Sequence, residues 1–295
     1  MTPTPPLAGR VLVLGGGVMG AGIAASLSAS GVATTVQIRR PEVVASVEEE
    51  IRRRGGEAEV VTEAEGPFAL AIESIAEDLE VKRALLARTE PLLTPDGILA
   101  TNTSSLSISQ LAHGLRHPER FAGWHWFNPA ELVGLVEVVG GPQTAPETVE
   151  RLLALSRALG KQPIAVRRDV PGFVANRLQY ALIREAYALV EAGVCDVEDV
   201  DRAVVHGLGA RWAAIGPFAS MDAAGLAVHE AAASRLFPEL SNATDVPRLL
   251  RELRDGGATG MRGGRGLRGT YTPAAAGQLA ARRDATLTLL AERPS

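Results

Sequence analysis

The feature that most restricts this chain is six residues long. Gly15-Gly16-Gly17-Val18-Met19-Gly20 is a G-x-G-x-x-G run that follows an apolar stretch at residues 10–14 and opens a helix-patterned stretch at 19–30. In that setting each motif glycine has its own task. Gly15 allows a tight strand-to-helix turn, Gly17 lets backbone amides close on a pyrophosphate, and Gly20 lets the helix pack against the strand. The amino end of the helix, with Val18 and Met19 in its first turn, adds a dipole that favours negative charge. The motif predicts a dinucleotide-binding βαβ unit, with NAD or NADP as cofactor.

The rest of the amino-terminal half keeps that rhythm. Short apolar runs at 34–38, 58–61, 68–72, 98–101 and 164–166 read as strands, and helical periodicity occupies 42–53, 79–92 and 146–159. Alternation of this kind builds a mostly parallel sheet covered on both faces. Two further runs, 121–127 and 135–139, have no helix-length stretch between them, so an antiparallel pair closing the far edge of the sheet is expected. After Val170-Pro171-Gly172 the strand-like runs stop and helical periodicity takes over, first at 173–191 and then at 197–206. The predicted fold is α/β: a Rossmann-type mostly parallel sheet over residues 1–168, then an all-α domain over 169–295 that the glycines between 256 and 269 interrupt.

Composition narrows the setting. Hydrophobic residues are 46% and charged residues 22% of the 295, without an apolar run long enough to span a bilayer, so no membrane role is expected. The net charge of -4 is interspersed, which removes any general attraction to nucleic acid. Cys195 is the single cysteine and reads as an inert small apolar residue in a reducing, cytoplasmic protein. The start of the chain, MTPTPPLAGR, has neither the basic end nor the apolar centre of a signal peptide.

At the second strand the cofactor reading meets an exception. An acidic residue there would bond the ribose 2′-hydroxyl of NAD, but the strand runs into Arg39-Arg40-Pro41-Glu42. Arg39 could neutralise a 2′-phosphate, which favours NADP. The alternative leaves both arginines solvated and gives the ribose to Glu42.

Four residues supply what dehydrogenation of a secondary alcohol needs, namely a base, its orienting partner and donors to the oxygen. His125 stands at the end of a strand candidate inside Trp124-His125-Trp126-Phe127-Asn128-Pro129, and Glu137 interrupts the apolar Leu135-Val136-Glu137-Val138-Val139. A carboxylate in such a strand is costly without a partner, and adjacent strands would give it one in His125. Ser104 follows a strand in Thr101-Asn102-Thr103-Ser104-Ser105, where ligands of such sheets bind, although a helix cap is an equal reading. Asn176 falls in the first turn of a long predicted helix, facing substrate or bonding another helix. No metal site is expected.

With these residues in place the chain resembles the 3-hydroxyacyl-CoA dehydrogenase family, and more loosely its L-gulonate 3-dehydrogenase and lambda-crystallin relatives. The resemblance rests on GGGVMGAGIA from Gly15, ESIAEDLEVK from Glu73, ATNTSSLSIS from Ala100, RFAGWHWFNP from Arg120, LVEVV from Leu135 and DVPGFVANRL from Asp169. It implies interconversion of 3-hydroxyacyl and 3-ketoacyl groups as CoA thioesters. His125 would be the general acid/base, Glu137 its orienting carboxylate, and Ser104 and Asn176 the donors to the reacting oxygen. Glu77 and Lys82 would contact the cofactor, Asn102 is counted with them, and the helical domain would form a homodimer.

Three departures accompany the resemblance. Only residues 41–57 separate the second and third strands, where relatives carry a helical hairpin that helps hold CoA. A thioester on an acyl carrier protein, as in polyketide extender supply, or a small free hydroxy acid therefore stands beside CoA. The aspartate that usually ends the second strand is replaced by Ile38-Arg39, and the usual Gly-Phe-Tyr step near the end reads Gly266-Leu267-Arg268. A rival of another class is a nucleotide binder that kept the scaffold without the chemistry, as lens crystallins have done.

Overall fold

Four consecutive apolar residues, Val11–Leu14, form strand β1, and all four are buried. That is the pattern of a strand with helices on both faces. The computed structural model describes residues 7–291. It places β1 inside an eight-stranded sheet ordered β3-β2-β1-β4-β5-β6-β7-β8. The other strands are β2 (Thr34–Gln37), β3 (Glu59–Val61), β4 (Phe68–Glu73), β5 (Leu93–Thr101), β6 (Phe121–Trp126), β7 (Leu135–Gly140) and β8 (Gln162–Val166). Strand order reverses beside β1, which pairs in parallel with both β2 and β4. The crevice at the carboxyl ends of β1 and β4 is thus the switch point at which such sheets bind ligands.

Alternation along the strands divides the core in two. Val11, Val13, Val36, Leu70 and Ile72 face the helices α1 (Val18–Ala29), α2 (Val44–Arg53) and α5 (Pro146–Ala158). Leu12, Leu14, Ala71 and Leu99 face α3 (Leu79–Thr89) and the short α4 (Ile108–Ala112). Between β2 and β3 stand only a 3₁₀ turn, Pro41–Val43, and α2. No helical hairpin is present there.

The β6–β7 pair is antiparallel as expected, with His125 opposite Glu137. It does not close the sheet. Helix α5 crosses over from β7 and returns the chain as β8, parallel to β7 and outside it, so β8 is the edge strand.

Two compact units divide the chain at Arg177, nine residues beyond position 168, giving Met1–Arg177 and Leu178–Ser295. The first unit extends that far because the backbone of Val174 and Ala175 is hydrogen-bonded to Glu137 of β7. The division falls inside α6 (Ala175–Glu191), and the second unit continues with α7 (Val197–Ala203), α8 (Gly209–Ala214), α9 (Pro217–Ala224), α10 (Leu226–Leu236), α11 (Arg248–Asp255) and α12 (Pro273–Ala291). The glycine cluster does more than interrupt helices. It forms a small antiparallel hairpin, Arg265–Gly266 with Gly269–Thr270, so the second unit is not helical throughout. Apolar side chains of this unit lie open, Phe218 at 80% and Phe237 at 71% exposure.

Candidate active site

At the end of β1 the chain must turn sharply between strand and helix. Gly15 does so at φ +111°, and a Cβ on it would lie 2.6 Å from the Ser74 carbonyl oxygen. A Cβ on Gly20 would lie 1.9 Å from the Gly15 carbonyl oxygen, so the helix can approach the turn only with glycine there. Gly17 is different, for a Cβ on it would meet nothing within 4 Å. It is also the residue that precedes α1, whose first turn carries no side-chain cap and no acidic residue. Uncapped amides at a helix start, beside an open position without a side chain, fit the pyrophosphate of a dinucleotide. Gly16, an unspecified position in the motif, is also constrained: a Cβ would sit 2.8 Å from Ile38 and 2.9 Å from Val47. Nothing in the spacing signals that packing.

The three residues directly after β2, Ile38, Arg39 and Arg40, include no acid. Ile38 is buried, Arg39 and Arg40 are exposed, and Arg40 Nε lies 4.0 Å from Glu42.

On the other side of the switch point, the register of β6 and β7 puts His125 directly across from Glu137. His125 Nδ1 is 2.8 Å from Glu137 Oε2, and the carboxylate is wholly buried. Burial alone would raise the pKa of Glu137. The bonds from His125, Ala175 and Val174 outweigh it and hold the carboxyl below its usual value. A charged carboxylate accepts from Nδ1–H, and in the tautomer that this bond selects Nε2 is the nitrogen without a proton. The ring of Phe127 lies 4.4 Å from that of His125, and the ring of Phe173 lies 5.6 Å away.

Glu137 has a second task that its place in the sequence does not suggest. Its Oε1 accepts from the backbone N–H of Val174 and of Ala175, each at 2.9 Å, at the start of α6. Asn176 is the next residue, so the carboxylate that orients His125 also anchors the turn bearing Asn176. The approach to that turn is strained, with buried Phe173 in the left-handed region at φ +50°.

The loop bearing Ser104 rests on a charged network. Glu77 Oε1 accepts from Thr103 Oγ1 at 2.6 Å, from Ser104 N at 3.0 Å and from Ser105 N at 3.1 Å. Burial would raise the pKa of Glu77, but the Thr103 hydroxyl and the Lys82 charge hold it at about 2. Lys82 is enclosed, with Nζ 2.6 Å from Glu73 Oε1, 3.1 Å from Glu77 Oε2 and 3.3 Å from the Ile75 carbonyl. The structure thus places Lys82 beneath the Ser104 loop, 1% exposed, with its donors directed into the protein. Helix α4 is capped by Ser107 rather than Ser104, and among the described residues the Ser104 hydroxyl has no hydrogen-bond partner. Asn102 clips the sheet edge, accepting from Trp126 N at 2.8 Å and donating to Ser74 Oγ at 3.3 Å.

Glu73 escapes the sequence reading. It is fully buried and accepts from Lys82, from Thr101 Oγ1 at 2.7 Å and from Ile75 N at 2.6 Å. A signal was available: like Glu137, it is an acid terminating or interrupting an apolar strand.

Residues 57–170 match the family model described as 3-hydroxyacyl-CoA dehydrogenase, NAD binding domain, and residues 172–269 match 3-hydroxyacyl-CoA dehydrogenase, C-terminal domain. The chain belongs to the 3-hydroxyacyl-CoA dehydrogenase family. Like its relatives in that family, it is an NAD-dependent oxidoreductase. It is 36% identical over 286 residues to 5-formyl-3-hydroxy-2-methylpyridine 4-carboxylate 5-dehydrogenase of Mesorhizobium japonicum, covering 90% of this chain and 91% of that protein. It is 35% identical over 243 residues to the human mitochondrial hydroxyacyl-coenzyme A dehydrogenase, covering 74% and 76%. Among solved structures it is similar to a 5-formyl-3-hydroxy-2-methylpyridine 4-carboxylic acid 5-dehydrogenase described as an NAD+-dependent dismutase, with TM-score 0.92, 33% identity and coverage of 97% and 99%.

Proposed function

We propose that this family member interconverts a hydroxyl-bearing carbon and the corresponding carbonyl in a small carboxylic acid, with His125 as the general acid/base. The observation that carries the reaction is the buried His125–Glu137 pair, with Nδ1 of the imidazole 2.8 Å from the carboxylate. Gly15–Gly20 and the first turn of α1 would hold NAD, which when bound would supply the hydride acceptor. Glu137 keeps Nδ1 protonated, so Nε2 is free to take the substrate hydroxyl proton, and in reduction it returns that proton to the oxygen. Ser104 Oγ and the Asn176 amide donate to the same oxygen and stabilise it as its charge develops. Phe127 and Phe173 flank the imidazole and keep water from it. Glu77 and Lys82 act on the reaction by shaping the Ser104 loop, and Asn102 by holding the end of β6.

The substrate class rests on a different observation. The single helix α2 between β2 and β3 leaves out the element that the family resemblance assigns to holding CoA. The Mesorhizobium relative, named for a pyridine carboxylate and matched over 91% of its length, supports an acid without a CoA handle. The second reading, a 3-hydroxyacyl-CoA thioester, is carried by the family itself. A homodimer through the second unit belongs to the same proposal, supported by the open apolar side chains of Phe218 and Phe237.

The test is a panel of initial rates with NAD, comparing 3-hydroxybutyrate and a hydroxymethyl-pyridine carboxylate with 3-hydroxybutyryl-CoA. Turnover of a free acid is expected, and activity confined to the thioester would overturn the substrate assignment. In the same panel His125→Gln should lower kcat by about 10²–10⁴-fold with NAD affinity kept. Near-full turnover by that variant removes the acid/base assignment.

A further inference from the structure

Lys161, immediately before β8, is a cation that the reaction does not use. It is 6% exposed, and its ammonium lies not on a carboxylate but on backbone oxygen. Nζ donates to the carbonyls of Ala130 at 2.7 Å, Val133 at 2.9 Å and Glu131 at 3.3 Å. All three belong to residues 127–134, the segment joining the strand of His125 to the strand of Glu137. The segment opens with Phe127, whose ring lies 4.4 Å from the imidazole. The ammonium also stands 5.3 Å from the ring of Trp126, next in sequence to His125.

A second tether reaches the same segment from the cofactor side. Arg54, at the end of α2, holds the Glu131 carboxylate through Nη1 at 2.8 and 2.9 Å. That carboxylate fits against α1 only because Gly22 has no side chain, since a Cβ there would lie 2.7 Å from Glu131 Oε2.

Keeping a charge at position 161 costs stability. Burial lowers the Lys161 pKa to about 8 against the opposing pull of Glu131. An apolar side chain of the same length would avoid that cost, but it could not gather three carbonyl oxygens that a tight turn points inward. We propose that Lys161 is a positioning residue: by drawing the carbonyls of 127–134 to one point it fixes the segment that backs His125, and so sets the aim of the imidazole. The proposal rests on His125 as the acid/base.

The test compares wild type, Lys161→Met and His125→Gln as NAD-saturated proteins. Imidazole ¹⁵N spectra are recorded, with His125→Gln identifying the His125 signals, alongside turnover of whichever substrate of the panel is used. In Lys161→Met the His125 signals should lose the single Nδ1–H form. The kcat should fall about 10- to 100-fold, the scale of an ångström-sized misplacement, while the NAD Kd stays within about twofold. Unmoved His125 signals with kcat within about twofold of wild type overturn the proposal. So does a fall in kcat matched by an equal rise in NAD Kd, which would mark a general loss of structure. Should Lys161→Met not fold, Arg54→Met loosens the same segment from its more exposed side. There, shifted His125 signals support the proposal and unmoved signals overturn it. If His125→Gln keeps full turnover, the proposed function fails and takes this proposal with it. If His125→Gln is inactive while Lys161→Met behaves as wild type, only the role of Lys161 falls.

Discussion

Arg39 stands just after β2, where the family resemblance puts the side chain that would decide between two cofactors. A guanidinium there is a partner for a 2′-phosphate, whereas the carboxylate common in relatives would repel it and bond the 2′-hydroxyl instead. Arg39 is exposed and follows a buried isoleucine, and the nearby Arg40 is only loosely matched by Glu42 at 4.0 Å. The expected outcome is that the enzyme accepts NADP as well as NAD. Arg39→Asp should lower kcat/KM for NADP by about tenfold or more, the effect of one lost charge-assisted pair, and leave NAD within a few-fold. A wild-type enzyme inactive with NADP would show that Arg39 is merely solvated. Other residues were legible because their chemistry clashes with their surroundings. Glu137 in an apolar strand demands a partner, and His125 on the adjacent strand is one. Lys161 carried no such mark, because a lysine between a helix and a strand reads as an ordinary surface charge.

At the level of elements, one carboxylate joins β6, β7 and the start of α6. Glu137→Ala removes the acceptor for His125 Nδ1 and, in the same step, the acceptor for two amides of the first turn of α6. Turnover should fall by about 10²-fold, from a misoriented base and a displaced Asn176 together. Amide hydrogen exchange at Val174 and Ala175 should quicken as well. Slow exchange there in the variant would mean that the turn holds without Glu137. Register decided this junction. The two strands were readable as apolar runs, but which residues face each other depends on hydrogen bonds between strands, and a one-residue slip would turn Glu137 to the opposite face of the sheet. The edge of the sheet was misread for a related reason, since β8 is short and partly exposed and only its pairing with β7 shows where it lies.

For the molecule as a whole, the hydrogen-bonded carboxylates of the first unit make stability depend on acid. Glu77 is held at about 2, and Glu137 also lies below its usual 4.5. A carboxylate whose folded pKa is lower than its unfolded one contributes stability that is complete above the unfolded value and is lost as pH falls through the folded value. The urea midpoint of the first unit, followed by fluorescence of Trp124 and Trp126, should therefore hold from pH 7 to about 5 and decline from about 4.5 toward 2. Glu77→Gln should flatten part of that decline. A wild-type midpoint unchanged to pH 3 would contradict the account.

The glycine spacing, the alternation of strand and helix, and the isolated polar residues of apolar strands were determined by sequence alone, because each is a local requirement of backbone geometry or of burial. Together they were enough for the Rossmann-type sheet, the glycine turn from β1 into α1 and the contact between His125 and Glu137. Tertiary structure decided what distance along the chain conceals. It put Glu73, Lys82 and Glu77 under the Ser104 loop, set Lys161 and Arg54 on one segment behind His125, and made Glu137 a bond to α6 as well as to the imidazole. Convergence of this kind comes from packing and register, which bring groups tens of residues apart within 3 Å and leave no periodic trace in the order of the residues.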